Sequence, residues 1–246
     1  MRLSAHCHAL AGFGYVPPWS VNAGFVCGES RTLIVDTGPS AQAAETILGY
    51  AQTARPANAL LAIDTERHLD HIAGNDLLRS RGIDVWGHPS VRRTAAELAA
   101  DVAAYAASVP DPTRRQDGEG EIPFLGTRIA DPNVDVEEES SLDLGGVSAE
   151  ILLAPGHTPA NLVVWVASDG VAYTGDSVVS DYRPNLESGG PAEWRAWLKA
   201  LERIEALAPS ILVPGHGRIL RGAKEIGREI ERVRRCLREA LAADRG

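Results

Sequence analysis

Apolar residues along this chain fall into two rhythms. AGFVC (23–27) and TLIVD (32–36), joined through Gly28-Glu29-Ser30, read as a strand pair, and ALLAI (59–63) as a buried strand. Between them, residues 41–54 put Ile47, Leu48 and Ala51 on one helical face. A helix is expected to begin near His68 and run on through Asn75 to Ser80, followed by a short strand from Ile83 to Trp86. Val91, Ala95, Leu98, Val102 and Tyr105 recur at helical spacing. Residues 108–140, rich in Pro, Gly and charge, read as a long surface excursion. Strands are expected again at 148–154, 161–167, 171–174 and 210–213. Pro191 opens a helix carrying Trp194, Leu198, Leu201 and Ile204, and 222–242 is an amphipathic helix with Ile226, Ile230, Val233 and Leu237 in register. Both halves mix strands and helices in the same way. One α/β domain spanning 1–246 and built from two similar halves is therefore expected, rather than two independent domains.

Composition narrows the partners. The 246 residues suffice for a substantial core. A net charge of −9 argues against nucleic-acid backbone as the main partner. No run approaches the ~20 apolar residues that span a bilayer, so no membrane partner is expected. Cys7, Cys27 and Cys236 are widely spaced and odd in number, as reduced thiols would be, and the N-terminus makes a poor signal peptide. A cytoplasmic protein acting on a small molecule is the expectation, with oligomeric state open. His6 and His8 read as disordered or surface residues.

The chemistry lies where strands end. ALLAI-DT runs into Glu66, His68, Asp70 and His71; ILLAPG into His157; VAYTG into Asp176; ILVPG into His216. Three of these turns place Gly immediately before the ligand-type residue: Gly156, Gly175 and Gly215. Glycine allows a tight turn in which a side chain swings back over a strand end. Strand ends along one sheet edge are where α/β proteins build their sites. A lone His or Asp in such a loop is ordinarily a hydrogen-bonding or capping residue, but four strand ends in succession are hard to ascribe to chance. Imidazole and carboxylate ligands suit Zn²⁺, Fe and Mn²⁺, and with no Cys taking part a Cys-type structural zinc site is excluded.

These residues resemble a family signature, that of the metallo-β-lactamase-fold hydrolases, which include glyoxalase II thioesterases and lactonases. The pattern His-x-His-x-Asp-His, Gly-His-Thr, Gly-Asp, Pro-Gly-His-Gly appears here as Glu66 to His71, Gly156-His157-Thr158, Gly175-Asp176 and Pro214 to Gly217, with LIVDTG (33–38) upstream. The resemblance implies a four-layer αββα sandwich of two facing sheets with outer helices. It also implies two divalent ions, zinc foremost with Fe or Mn²⁺ as alternatives. The first ion would take residue 66, His68 and His157; the second Asp70, His71 and His216; Asp176 would bridge them, and Asp36 would support the site from behind. The departure is Glu66, where the family usually has His. Three roles stay open for it: a ligand, a side chain turned away from a weak or empty first site, or a proton-transfer group beside a single metal. An added carboxylate should weaken the first ion as a Lewis acid and favour harder ions.

The implied activity is hydrolysis of a small carbonyl compound (thioester, lactone, ester or β-lactam) by a metal-activated water, with Asp70 both ligating and orienting the nucleophile. The resemblance also leaves room for an iron-dependent oxidative enzyme of the persulfide dioxygenase kind, or a metal-depleted binding protein. Phe13 to Trp19, the excursion and Asp181 to Arg183 would wall the pocket. Tyr182 and Arg183 are the candidates for substrate contact, although an Arg in such a loop, like Arg114 and Arg115, is ordinarily solvated. His88 is not expected to be a ligand.

Overall fold

A computed structural model describes residues 1–16, 19–108, 128 and 130–244 of the chain. Its frame is two six-stranded sheets. The first runs in the order β1 (Cys7–Val16), β2 (Trp19–Cys27), β3 (Arg31–Val35), β4 (Ala59–Ile63), β5 (Asp84–Gly87), β6 (Val134–Asp135). The second runs β12 (Leu220–Arg221), β11 (Ile211–Val213), β10 (Val171–Tyr173), β9 (Leu162–Val166), β8 (Ser148–Leu153), β7 (Ser140–Asp143). Each half of the chain thus supplies one sheet.

Alternation within the apolar runs builds the layers. In β3, Leu33 and Val35 join the central core while Ile34 faces the other way; in β4, Leu61 and Ile63 face in and Ala62 out. The second sheet repeats this, with Leu162, Val164, Val166, Ile211 and Val213 inward and Val163 and Leu212 outward. Strands apolar on both faces must be covered on both. Helices α1 (Ala41–Ala54) and α3 (Asn75–Ser80) cover the first sheet, through Ile47, Leu48 and Leu78. Helices α5 (Pro191–Ala206) and α6 (Ala223–Ala243) cover the second, through Trp197, Leu201, Ile230 and Val233. The αββα sandwich implied by the signature is the architecture observed. Among the described residues, no helix is long and apolar enough to cross a membrane.

Four expectations need correction. The helix expected from His68 through Ser80 is two short ones, α2 (Leu69–Ile72) and α3, parted at Ala73-Gly74. There the chain presses so closely on Thr37 and Ala44 that a side chain at Gly74 would collide with them. His6 and His8 are neither disordered nor free at the surface. His8 lies in β1 and stacks on Phe25 with centroids 4.5 Å apart, and His6 Nδ1 lies 2.9 Å from Asp169. The end of the expected excursion supplies β6 and begins β7, edge strands of the two sheets; residues 109–127, with Arg114 and Arg115, lie outside the described residues. Finally, the helix expected around Val91 to Tyr105 is α4 (Ala95–Ser108). Thr94 and Glu97 cap it reciprocally, Thr94 N donating to Glu97 at 2.7 Å and Glu97 N to Thr94 Oγ at 3.2 Å, while Val91 closes a preceding 3₁₀ turn.

Candidate metal centre

Strands β3, β4 and β5 run parallel, as do β10 and β11, so Asp36, Glu66, Asp176 and His216 follow strand ends. Backbone contacts sew the two sheets together beside them. Asn22 of β2 donates from its backbone to Gly215 O (2.8 Å) and from its side chain to Pro214 O (2.9 Å) and Gly217 O (2.8 Å). Leu162 N donates to Thr65 O at 2.7 Å. Two glycines let the turns close: Gly175 has φ +48°, and a Cβ on Gly215 would fall on Asp176 Oδ1.

Within this frame all seven sequence-derived ligand candidates converge. Ligand atoms of Glu66, His68 and His157 lie within 4.8 Å of one another, as do those of Asp70, His71 and His216, and those of Glu66, His71 and Asp176. His157 Nε2 is 3.1 Å from His68 Nδ1; His216 Nε2 is 3.2 Å from Asp70 and 3.3 Å from Asp176; His71 Nε2 is 3.4 Å from Asp176. Glu66 does not turn away. It is fully buried, its carboxylate 2.8 Å from His68 Nδ1, 3.3 Å from His71 Nε2 and 3.7 Å from His157 Nε2.

The four imidazoles are held from outside, which decides the nitrogen each turns inward. His71 Nδ1 donates to Asp36 at 2.9 Å and His216 Nδ1 to Ser20 O at 2.5 Å. His157 Nδ1 faces Asn185 O at 3.2 Å, and His68 Nε2 faces Ser188 Oγ at 3.2 Å. Asp36 also accepts from Thr65 N (2.7 Å) and Thr65 Oγ1 (2.8 Å), in a left-handed backbone conformation (φ +62°) that Asp tolerates better than most residues. Behind the site, Asn75 donates to buried Asp64 at 2.7 Å and accepts from Thr37 at 2.7 Å. Burial first, then the charge of Asp36, drives the Asp64 carboxyl well above the usual range.

Electrostatics inside the site oppose burial and mostly prevail. Burial would raise the Asp70 carboxyl, but His71 and His216 bring it down to about 2. Burial would lower His71, yet Asp70, Asp36 and Glu66 hold it well above its usual value; Asp176 and Asp70 do the same for His216. His157 is lowered, burial winning there. This many carboxylates and imidazoles facing one another calls for a cation. Among the described residues, buried His71 Nε2 and Asp176 Oδ1 lack a well-formed hydrogen bond, and two imidazole nitrogens confront each other at 3.1 Å. The donor set therefore fits divalent metal.

The remaining predicted residues divide. Tyr182 stands beside His216 with ring centroids 6.3 Å apart, whereas Arg183 is exposed and makes no contact to the centre among the described residues. Phe13 packs with the core between the first sheet and its helices, and residues 17–18 lie outside the described ones. His88 caps a 3₁₀ turn through Ser90. Sequence reasoning missed Ser20, Asn185 and Ser188. The first two act through backbone carbonyls and the third is a serine in a polar loop, so no residue pattern marks them.

The family model described as the metallo-beta-lactamase superfamily matches residues 16–216. Metallo-beta-lactamase type 2 of Bacteroides fragilis is 22% identical over 211 residues, 85% of this chain and 72% of that protein. Atrochrysone carboxyl ACP thioesterase of Aspergillus fumigatus is 21% identical over 215 residues, 87% of this chain but only 56% of that protein. Among solved structures, a metallo-beta-lactamase from Pontibacter korlensis superposes with a TM-score of 0.69 at 18% identity, covering 95% of this chain and 97% of its own.

Proposed function

The chain belongs to the metallo-beta-lactamase superfamily, and from that premise we propose that it is a metal-dependent hydrolase of a small carbonyl substrate: a thioester, lactone, ester or β-lactam. The observation that supports this reading is the convergence of Glu66, His68, Asp70, His71, His157, Asp176 and His216 into overlapping groups of ligand atoms within 4.8 Å of one another. The relatives' names, a β-lactamase and a thioesterase, support carbonyl chemistry.

Bound divalent ions would supply Lewis acidity, lowering the pKa of a water toward ~7 and polarising the substrate carbonyl. His68 and His157 with Glu66 would hold one ion, Asp70, His71 and His216 the other, and Asp176 faces both groups. The chain's own residues do the rest. Glu66 and His71 form the buried floor, while the His68 and His216 side chains, 32% and 14% exposed, border the open side. Asp70, whose carboxylate lies 3.2 Å from His216 Nε2, would orient the attacking water. Tyr182, beside His216, walls the approach.

The test is metal content of protein purified without added metal, with rates on a panel of thioester, lactone, ester and β-lactam substrates before and after chelation. His71→Ala and Asp176→Ala should lose both metal and turnover; retention of both in the two variants would refute the reading. A second reading rests on the carboxylate-rich donor set, which suits iron. An iron-loaded protein that consumes oxygen in place of hydrolysing esters would favour it.

A further inference from the structure

We propose that Glu66 is a second bridging carboxylate, spanning the two metal positions opposite Asp176 and biasing the pair toward hard ions such as Mn²⁺ or Fe²⁺. The inference rests on reading the cluster as a metal centre. Its starting point is that Glu66 belongs to two groupings at once: one with His68 and His157, one with His71 and Asp176. Both of its oxygens lie 2.8 Å from His68 Nδ1, and beyond that ring they reach different imidazoles. Oε1 lies 3.3 Å from His71 Nε2, and Oε2 lies 3.7 Å from His157 Nε2. Asp176 reaches the same two imidazoles, Oδ1 lying 3.4 Å from His71 Nε2 and Oδ2 3.6 Å from His157 Nε2, with Oδ2 also 3.3 Å from His216 Nε2. The two carboxylates therefore span the same pair of imidazoles.

A terminal ligand to one ion would not need this placement. Ions in two-metal sites sit ~3.5–4 Å apart, a distance one carboxylate can bridge. The ion-pair partners of Glu66 among the described residues are all imidazoles, those of His68, His71 and His157, and the residue is fully buried. Its burial keeps solvent from it. Its charge adds to those of Asp70 and Asp176 and offsets most of the charge on two divalent ions. A third carboxylate among four imidazoles shifts the donor set toward harder ions such as Mn²⁺.

The full chain, stripped by chelation, is titrated with Mn²⁺ and with Zn²⁺ by calorimetry, wild type beside Glu66→Gln and Glu66→His. A bridge predicts that Glu66→Gln weakens both binding steps by more than about 100-fold, beyond the loss of a mere supporting residue. Glu66→His should shift the Zn²⁺:Mn²⁺ preference at least about tenfold toward zinc. Weakening of one step alone would make Glu66 a terminal ligand and overturn the bridge. Crystals of the Mn²⁺-loaded wild type give a reading that needs no variant. Anomalous peaks with one Glu66 oxygen within about 2.2 Å of each ion support the proposal; both oxygens on one ion, or a side chain turned away, overturn it. Two bound ions with a one-sided Glu66 defeat the bridge and leave the hydrolase reading standing. A wild type that takes up neither metal defeats both.

Discussion

Each of the four imidazoles offers one nitrogen to the centre because a different group claims the other. That arrangement makes the outer partners testable. Ser188→Ala should free the His68 ring and weaken metal binding about 10–100-fold, as loss of such partners does elsewhere, with little change in the stability of the metal-free protein. Asp36→Asn is expected to act more broadly. Asp36 accepts from Thr65 N, Thr65 Oγ1 and His71 Nδ1, and an amide cannot accept all three. A buried donor left over costs about 1–3 kcal/mol, measurable by denaturant unfolding of the metal-free protein. Protonation follows the same geometry. Because His71 and His216 are held well above their usual values, the protons they carry stabilise the metal-free fold below about pH 6.5, the unfolded value. That contribution fades as pH rises through the raised folded values. Metal must displace those protons, so affinity should climb with pH, and calorimetry in buffers of different ionisation enthalpy should show protons released on binding. At this scale the sequence was generous with ligand candidates and silent on the groups that hold them. His and Asp at strand ends stand out in a polypeptide, whereas the carbonyls of Ser20 and Asn185 have no residue type.

Among the elements, legibility followed apolar content. Helix α1 and strands β3, β4, β9 and β11 were readable because each must bury apolar side chains in a fixed rhythm. Strands β6 and β12 were not, since two residues carry no period. Strand β1 was hidden differently: CHALAGFGYV is broken by two glycines, and its irregular register with β2 between Leu10 and Phe13 blurs the alternation. The division between α2 and α3 depends on contact with Thr37 and Ala44, residues distant in sequence, so no local pattern could announce it. The turns at the strand ends are the most sensitive elements. Gly215→Ala places a methyl on Asp176 Oδ1, and the expected result is a folded protein with metal content reduced at least about tenfold, judged by circular dichroism alongside elemental analysis. Retained full occupancy would show that the turn can yield. Helix α5 supports the same region through Trp197, whose Nε1 donates to Ser177 O at 2.8 Å and whose ring lies 5.1 Å from that of His157. Trp197→Ala should cost about 3–5 kcal/mol of stability in denaturant unfolding, from lost packing together with an orphaned carbonyl.

At the level of the molecule, the signature carried the architecture because its members lie at strand ends in a fixed order, and only a sandwich with both sheet edges aligned brings them together. What no motif contained is the division of labour between the halves. Glu66, His68, Asp70 and His71 come from the chain that builds the first sheet, and His157, Asp176 and His216 from the chain that builds the second. Neither sheet alone offers a complete coordination sphere. An ion gripped there would act as a cross-link between distant stretches of polypeptide, closing a long loop in the way a disulfide does, and would penalise any fluctuation that parts the sheets. Chelation should therefore speed amide exchange in β4 and β11 together, on opposite walls of the seam, while the outer helix α6 keeps its protection.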